Sequence, residues 1–536
     1  MKRDFGSIAA ETFDLIVVGG GIVGAGIARD ATLRGLHTLL LEKDDFGCGT
    51  TSRSSRLIHG GLRYLRQMQL GIVRQDLRER DILLNIAPHL VHPLPFVIPL
   101  ARGNVLTRLM LPFGLRLYDY LYRDKSLPSN RRLSRRETLE LEPDLEIDGL
   151  VGSYLYYDCQ APFVERLCLE NVLCAAEHGA STMNHAKVTG FLRDGNTVSG
   201  VEVHDVISGE VYQARARIVV NAAGHWVDSV YGTIDTGHRP MVRRTKGIHL
   251  LIPKISSNAM VMFALSDHRL FFVIPWQGYS LIGTTDTDYY GDLDAVRAEA
   301  EDVDYLLAEV QSVFPGMRRE DIFYASAGLR ALARSRARKP SNVSRQHRLV
   351  DHGQKDGIGG LVSVVGGKIT AYRAVAEQAV DLVCRKLASK ASCATAETPL
   401  PGAPAVPKQS VEETARENGL PVDTVAHLAA LYGSRLRRVI ELVRGDARGG
   451  QPICPHGKDI TAQVWYAVEE GALTAGDFLL RRSAVGLGSC QGLDAVETVA
   501  TEMGRILGWS AAEQQRQVEA YRAFAAMGQN FRAEAG

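Results

Sequence analysis

Apolar and polar positions along the first fifty residues fall into strand, turn, helix and strand again. Residues 13–18, Phe-Asp-Leu-Ile-Val-Val, form an apolar run that suits a buried strand. Gly19-Gly20-Gly21-Ile22-Val23-Gly24 follows, residues 22–34 carry a helical pattern, and Gly35 is placed to end it. Residues 36–41 give a second apolar strand that stops at Glu42. The result is one βαβ unit with a G-x-G-x-x-G turn. Gly19 permits the sharp turn, Gly21 lets backbone approach a pyrophosphate, and Gly24 lets the helix pack on the strand. The helix N-terminus then faces the phosphates. Glu42 stands where a carboxylate accepts hydrogen bonds from an adenosine ribose, and an acid there argues against a 2′-phosphate. The spacing predicts dinucleotide binding.

Two later segments repeat the strand-to-turn pattern. Residues 217–220 run into Asn221-Ala222-Ala223-Gly224-His225-Trp226, and residues 361–365 run into Gly366-Gly367-Lys368-Ile369-Thr370. Residues 371–387 then form a strong helix pattern. A helix starting beside a flavin pyrimidine ring brings its positive end to where reduced flavin accumulates negative charge. Gly366-Gly367 fits an ordinary left-handed turn equally well. Short β-rich runs lie at 248–252, 271–274 and 279–283. After residue 387 the composition changes: residues 389–407 contain Pro399, Pro401, Pro404 and Pro407 and read as a linker. Residues 410–417, 422–432, 435–443, 460–470, 475–482 and 493–507 all favour helix, so a helical C-terminal domain is expected.

Composition narrows the class. At roughly 100–200 residues per domain, 536 residues suggest two to four domains. Lys plus Arg number 62 against 61 Asp plus Glu, a net charge of +1, and no nucleic-acid module is recognisable, so a nucleic-acid binder is disfavoured. The apolar run at 15–28 is short of the ~20 residues of a membrane-spanning helix, and no secretory signal pattern precedes it, which points to the cytoplasm. The 8 cysteines contain no C-x-x-C pair, so neither a zinc nor an iron–sulfur site is expected; Cys454-Pro455-His456 offers too few ligands. The 52 glycines fit many tight turns and close approaches of backbone to a ligand.

At Gly49-Thr50-Thr51-Ser52-Arg53-Ser54-Ser55-Arg56-Leu57-Ile58-His59-Gly60-Gly61-Leu62-Arg63-Tyr64-Leu65 the sequence stops being generic. This block, after that βαβ unit, closely resembles the FAD-dependent (aerobic, quinone-linked) sn-glycerol-3-phosphate dehydrogenase family. The likeness extends through residues 221–226, Lys246-Gly247-Ile248-His249, Phe272-Val273-Ile274-Pro275-Trp276, Ile282-Gly283-Thr284-Thr285-Asp286, Gly328-Leu329-Arg330 and residues 366–370. Trp465-Tyr466-Ala467-Val468 and Leu480-Arg481-Arg482 resemble the family's cap.

The resemblance implies an α/β chain, α+β overall, built as a D-amino-acid-oxidase-like two-lobed flavoprotein. Its Rossmann-type FAD lobe would come from residues 13–95, 165–225 and 345–388, and its antiparallel-sheet substrate lobe from 96–164 and 226–344. A linker at 389–409 and a helical C-terminal cap domain at 410–536 would follow. FAD is the implied cofactor. Gly19, Gly21, Gly24, Glu42, Thr51, Ser52, Ser54, Ser55, Leu57, Gly224, Gly367, Lys368, Ile369 and Thr370 are the positions implied to hold it.

Oxidising sn-glycerol 3-phosphate to dihydroxyacetone phosphate means removing the C2 hydroxyl proton and passing the C2 hydride to flavin N5. Planar bidentate donors suit a phosphate monoester, and family matching points to Arg63, Arg330 and Arg345, with Lys368 near flavin and substrate. An imidazole of ordinary pKa about 6.5 accepts a proton at working pH. His59 is the first candidate base and His249 the second; a cofactor-orienting role fits each as well. The sequence departs from the family where Ala331, in place of Pro, follows Arg330. Residues 322–350 hold seven basic residues and no acid, which suits a phosphate loop or a membrane-facing patch.

The resemblance further implies quinone as electron acceptor and peripheral attachment to the cytoplasmic face of the membrane, and it admits a homodimer. Residues 102–136 hold nine basic residues against two acids. Residues 105–122 have the composition of an interfacial amphipathic helix broken by Pro112 and Gly114; a substrate-lobe helix with a solvated basic face fits equally. A flavin oxidase using oxygen shares nearly every motif. An amino-acid or amine oxidase fits less well, because a carboxylate needs one Arg, and a non-catalytic flavoprotein is the remaining alternative.

Overall fold

A computed structural model gives the fold; it describes residues 1–536 except 2, 67, 104, 122–125, 335–345 and 536, and leaves out the side chains of 63, 66, 105–107 and 533–535. The strand Thr12–Val18 lies inside an eight-stranded sheet. Along its main path the order is Arg348–Asp351, Leu361–Val365, Val211–Asn221, Thr12–Val18, Thr38–Leu41, Ser181–Met183. The four inner pairings are parallel, and Arg348–Asp351 adds an antiparallel edge. Leu15, Ile16 and Val17 are fully buried, as the unbroken apolar run requires of a strand covered on both faces.

The helices Ile22–Leu33, Val164–Glu177 and Tyr372–Leu387 pack together on this sheet. Gly26 permits the contact: a Cβ there would lie 2.9 Å from the Tyr372 ring. Gly35 ends the first of these helices with φ +78°, as its placement predicts.

The second sheet has ten strands and is antiparallel except where Ala259–Phe263 pairs with His92–Ala101. Val242–Pro253 pairs along its length with Tyr324–Ala333, and Val303, Leu306 and Val310 of the helix Ala300–Gln311 cover one face. The short β-rich runs lie within Val242–Pro253, Leu270–Trp276 and Tyr279–Gly283.

Three expectations are corrected. Leu57–Ile58 and the start of His92–Ala101, assigned with the cofactor lobe, pair with Leu150–Gln160 of the second sheet. The chain crosses from the first sheet to the second between the strands Thr38–Leu41 and Leu57–Ile58, so neighbours in sequence serve different layers. Residues 227–231, assigned to the substrate lobe, form a helix whose Val227 and Tyr231 sit in the core of the first sheet. Pro112 and Gly114 do not break the segment at 105–122, for one helix runs Val105–Leu121 with Pro112 inside it. Its inner face is anchored by Leu115 and Tyr118, and that burial outweighs the local cost of proline.

The C-terminal domain is helical from Lys408–Asn418 onward, including an unanticipated last long helix, Ala511–Met527. Buried ion pairs tie it to the body. Asp45 accepts from Arg481 at 2.7 Å and from Arg482 at 2.5 and 3.0 Å, and Arg166 reaches Glu470 at 2.6 Å. Breaking a buried pair of this kind strands a charge, at about 3–5 kcal/mol.

Candidate active site

The glycine turn is built as a cradle. Gly19 has φ +105°, and a Cβ on Gly24 would fall 1.8 Å from the Gly19 carbonyl oxygen, so the helix can begin this close to the strand only with glycine there. Gly21 caps the helix with no side-chain hydrogen bond of its own. Ile22 N donates to Thr51 Oγ1 at 3.1 Å, which brings the 49–63 segment alongside. Glu42 is buried at the end of the second strand, where its carboxylate accepts from Gly20 N at 2.6 Å and Asp44 N at 3.0 Å; burial pushes it up to about 6. A helix terminus capped by Gly21, positive-φ Gly19 and a Gly224 with free space around an added Cβ fit the extended phosphate-bearing body of FAD.

From this cradle the 49–63 segment threads between the two sheets. Thr50 Oγ1 donates to Leu329 O at 2.6 Å, and Ser55 Oγ lies 2.8 Å from His249 Nε2 on the strand Val242–Pro253. Leu57 begins a two-residue strand against Gln160. Ser52 and Ser54 line a cavity of about 410 Å³ between the body and the C-terminal helices, together with Arg53, Trp226 and Tyr324. His59 N donates to Thr370 Oγ1 at 3.1 Å, tying the candidate base to the turn that carries Gly366, Gly367, Lys368 and Ile369. Gly366 and Gly367 have φ +79° and +130°.

The His59–Gly60 peptide is fixed from behind. Gly60 N donates to Tyr118 Oη at 3.0 Å and to Asp158 Oδ1 at 3.4 Å, while Arg80 donates to Asp158 at 2.7 Å. Lys368 Nζ lies 2.5 Å from Asp76 Oδ2 and 3.7 Å from the centre of the Tyr64 ring. Burial raises Asp76 to about 6, against the pull of Lys368. Arg330 donates to Asp286 at 3.2 Å and to Thr284 Oγ1 at 2.7 Å, and it passes over Gly247, where a Cβ would fall 2.3 Å from Nη2. A side chain at Gly247 would therefore push the Arg330 guanidinium out of this position. His249 is pushed down to about 3 by burial, with the Arg330 and Arg56 charges adding to it.

The candidates therefore divide. His59, Lys368 and Thr370 come together, as do His249, Ser55 and Arg330. Arg63 lies on the short helix Leu62–Arg66 with its side chain outside the described residues, and Arg345 is outside them altogether. Asp76, Arg80, Tyr118 and Asp158 escaped the sequence reading, since no local pattern marks them.

Two family models divide the chain between them. The FAD dependent oxidoreductase family matches residues 14–373, and the C-terminal domain of alpha-glycerophosphate oxidase matches 393–514. Glycerol-3-phosphate dehydrogenase of Synechocystis is 40% identical, with 97% of each chain covered. Glycerol-3-phosphate dehydrogenase 2 of Mycobacterium tuberculosis is 36% identical over 96% of this chain and 88% of its own. The chain belongs to the FAD-dependent glycerol-3-phosphate dehydrogenase family. Among solved structures, the glycerol-3-phosphate dehydrogenase of Bacillus halodurans complexed with FAD superimposes with TM-score 0.80 at 30% identity, covering 98% of this chain and 96% of that one. The L-alpha-glycerophosphate oxidase of Mycoplasma pneumoniae, at 18% identity and TM-score 0.55, shares the fold over 73% of this chain. FAD is the cofactor of this FAD-dependent glycerol-3-phosphate dehydrogenase family member, and the geometry of the glycine turn is one that suits it.

Proposed function

We propose that the protein oxidises sn-glycerol 3-phosphate to dihydroxyacetone phosphate and delivers the electrons to a membrane quinone. The observation that carries the reading is the His59–Thr370 contact, which joins the candidate base to the turn bearing Lys368. Bound FAD supplies the hydride acceptor. His59 takes the C2 hydroxyl proton, and its backbone is held by Thr370 on one side and by the Tyr118–Asp158 pair on the other. His249 suits an orienting role, because a neutral imidazole of such low basicity bonded to Ser55 is a poor proton acceptor at neutral pH. Lys368 and Arg330 supply positive charge for the substrate phosphate, with Asp286 and Thr284 setting the guanidinium plane.

The quinone acceptor rests on the helix Val105–Leu121. Leu109, Met110, Phe113 and Tyr120 are exposed along it, and it packs against the Leu62–Arg66 helix that follows His59 in the chain. An apolar rim of this kind suits docking on the cytoplasmic face of a membrane. Among the described residues no helix is long and apolar enough to cross one. The match of residues 393–514 to an oxidase domain makes oxygen the competing acceptor. Turnover with a water-soluble quinone analogue, measured beside hydrogen peroxide release in air, separates the two. Quinone reduction with little peroxide supports this reading; one peroxide per dihydroxyacetone phosphate overturns it.

A further inference from the structure

Two cysteines 36 positions apart meet in the C-terminal domain. Cys454 sits in a tight hairpin closed by a bridge between Pro452 and Ile460, where Ile453 N donates to Asp459 O at 3.1 Å and Gly457 N to Cys454 O at 3.3 Å. Cys490 lies in the turn before the helix Val496–Leu507. The two Sγ atoms are 3.6 Å apart. Asp494 brings a carboxylate to the same point, so that one donor atom from each of the three lies within 4.8 Å of the others. His456 N donates to Cys454 Sγ at 3.4 Å, and His456 Nε2 stands 3.3 Å from Asp494 Oδ2. Cys454-Pro455-His456 alone is too small a ligand set; the fold adds the missing donors.

We propose that Cys454, Cys490 and Asp494 bind a zinc-class divalent cation, with His456 orienting the Asp494 carboxylate. Distance is the first argument. Two thiolates sharing a tetrahedral ion at about 2.3 Å each stand about 3.8 Å apart, close to the separation seen here, whereas a disulfide would bring them to about 2.05 Å. Softness is the second, since paired thiolates select zinc over magnesium or calcium. Cys454 is buried, Cys490 half-buried and Asp494 exposed, which leaves one side of the site open to water.

The site is remote from the glycine cradle in the chain, and its place suggests a structural role. Next to Cys490, Ser489 N donates to Tyr279 Oη at 3.2 Å and Gln491 donates to Phe323 O at 2.6 Å, so this turn holds the C-terminal domain against the second sheet. An ion there would link the 452–460 hairpin to that docking turn.

The test uses holoenzyme purified in reductant, freed of metal by a chelator and titrated with Co²⁺. One equivalent is expected to give a thiolate-to-cobalt charge-transfer band that Zn²⁺ abolishes. C490S and C454S should lose the band. D494N and H456Q, which alter exposed side chains and leave the packing alone, should weaken binding by about 10–100-fold with the flavin spectrum unchanged. Absence of the band in the wild-type protein, or its survival in both cysteine variants, overturns the proposal. A Cys454–Cys490 disulfide with no bound zinc, in protein isolated without reductant, overturns it equally.

Discussion

Lys368 and Asp76, 292 positions apart, form an ion pair of 2.5 Å beside the Tyr64 ring. The pair is complete only when Asp76 is ionised, above about pH 6, the value to which burial raises it. Below that pH Lys368 loses its anchor. In D76N it lacks one at every pH, so KM for glycerol 3-phosphate is expected to rise about tenfold, the equivalent of about 1.4 kcal/mol, with a smaller change in kcat. The substrate phosphate titrates near pH 6 in both enzymes. The informative quantity is therefore the ratio of their KM values, which should shrink as pH falls from 8 to 5. A constant ratio would remove Asp76 from this positioning role.

His59 is the residue on which the chemistry depends. H59N should slow flavin reduction by about 100-fold or more while leaving FAD bound. A loss under tenfold in single-turnover absorbance, with substrate affinity intact, would take proton abstraction away from it.

Much of the fold was legible because its signals are local. The glycines at 19, 21 and 24 and Glu42 lie within one βαβ unit, and the strand at 361–365 occurs where its pattern puts it. The supporting shell was not legible. Asp76, Glu79 and Arg80 share one helix, Leu70–Ile86, and no local pattern marks them as buried, yet all three are buried because their partners Lys368, Arg373 and Asp158 arrive from distant segments. The helix Ala511–Met527 was missed for the opposite reason: it is polar nearly all round, with Val518, Tyr521 and Ala525 its buried contacts. Cys490 and Asp494 could not be joined to Cys454 without the fold.

Docking of the C-terminal domain carries its own pH dependence. His185 Nε2 lies 2.9 Å from Asp477 Oδ2. Burial opposes the charge on His185, but the Asp477 carboxylate outweighs it and holds the imidazole pKa above its ordinary 6.5. A folded value above the unfolded one adds stability that is full below about pH 6.5 and is lost as pH rises through the folded value. H185N suits the left-handed backbone at this position, φ +50°. It should cost about 2 kcal/mol at pH 6 and clearly less at pH 9, read from thermal unfolding. An equal cost at both pH values would contradict the assignment.

The exposed apolar face of the helix Val105–Leu121 predicts a membrane phenotype. Replacing Leu109 and Phe113 together with Ser removes two side chains each worth about 1.5–3 kcal/mol on burial. Vesicle binding, followed by sedimentation, should fall at least about 100-fold, with reduction of the flavin by substrate in solution unchanged. Undiminished vesicle binding would rule this face out as the contact.

Mixing the FAD-loaded protein with sn-glycerol 3-phosphate in the absence of oxygen, and following the oxidised-flavin absorbance, tests substrate oxidation without any acceptor beyond the flavin. Complete bleaching is expected, with one dihydroxyacetone phosphate formed per flavin. A flavin that stays oxidised with this substrate, yet is reduced by dithionite, would contradict it.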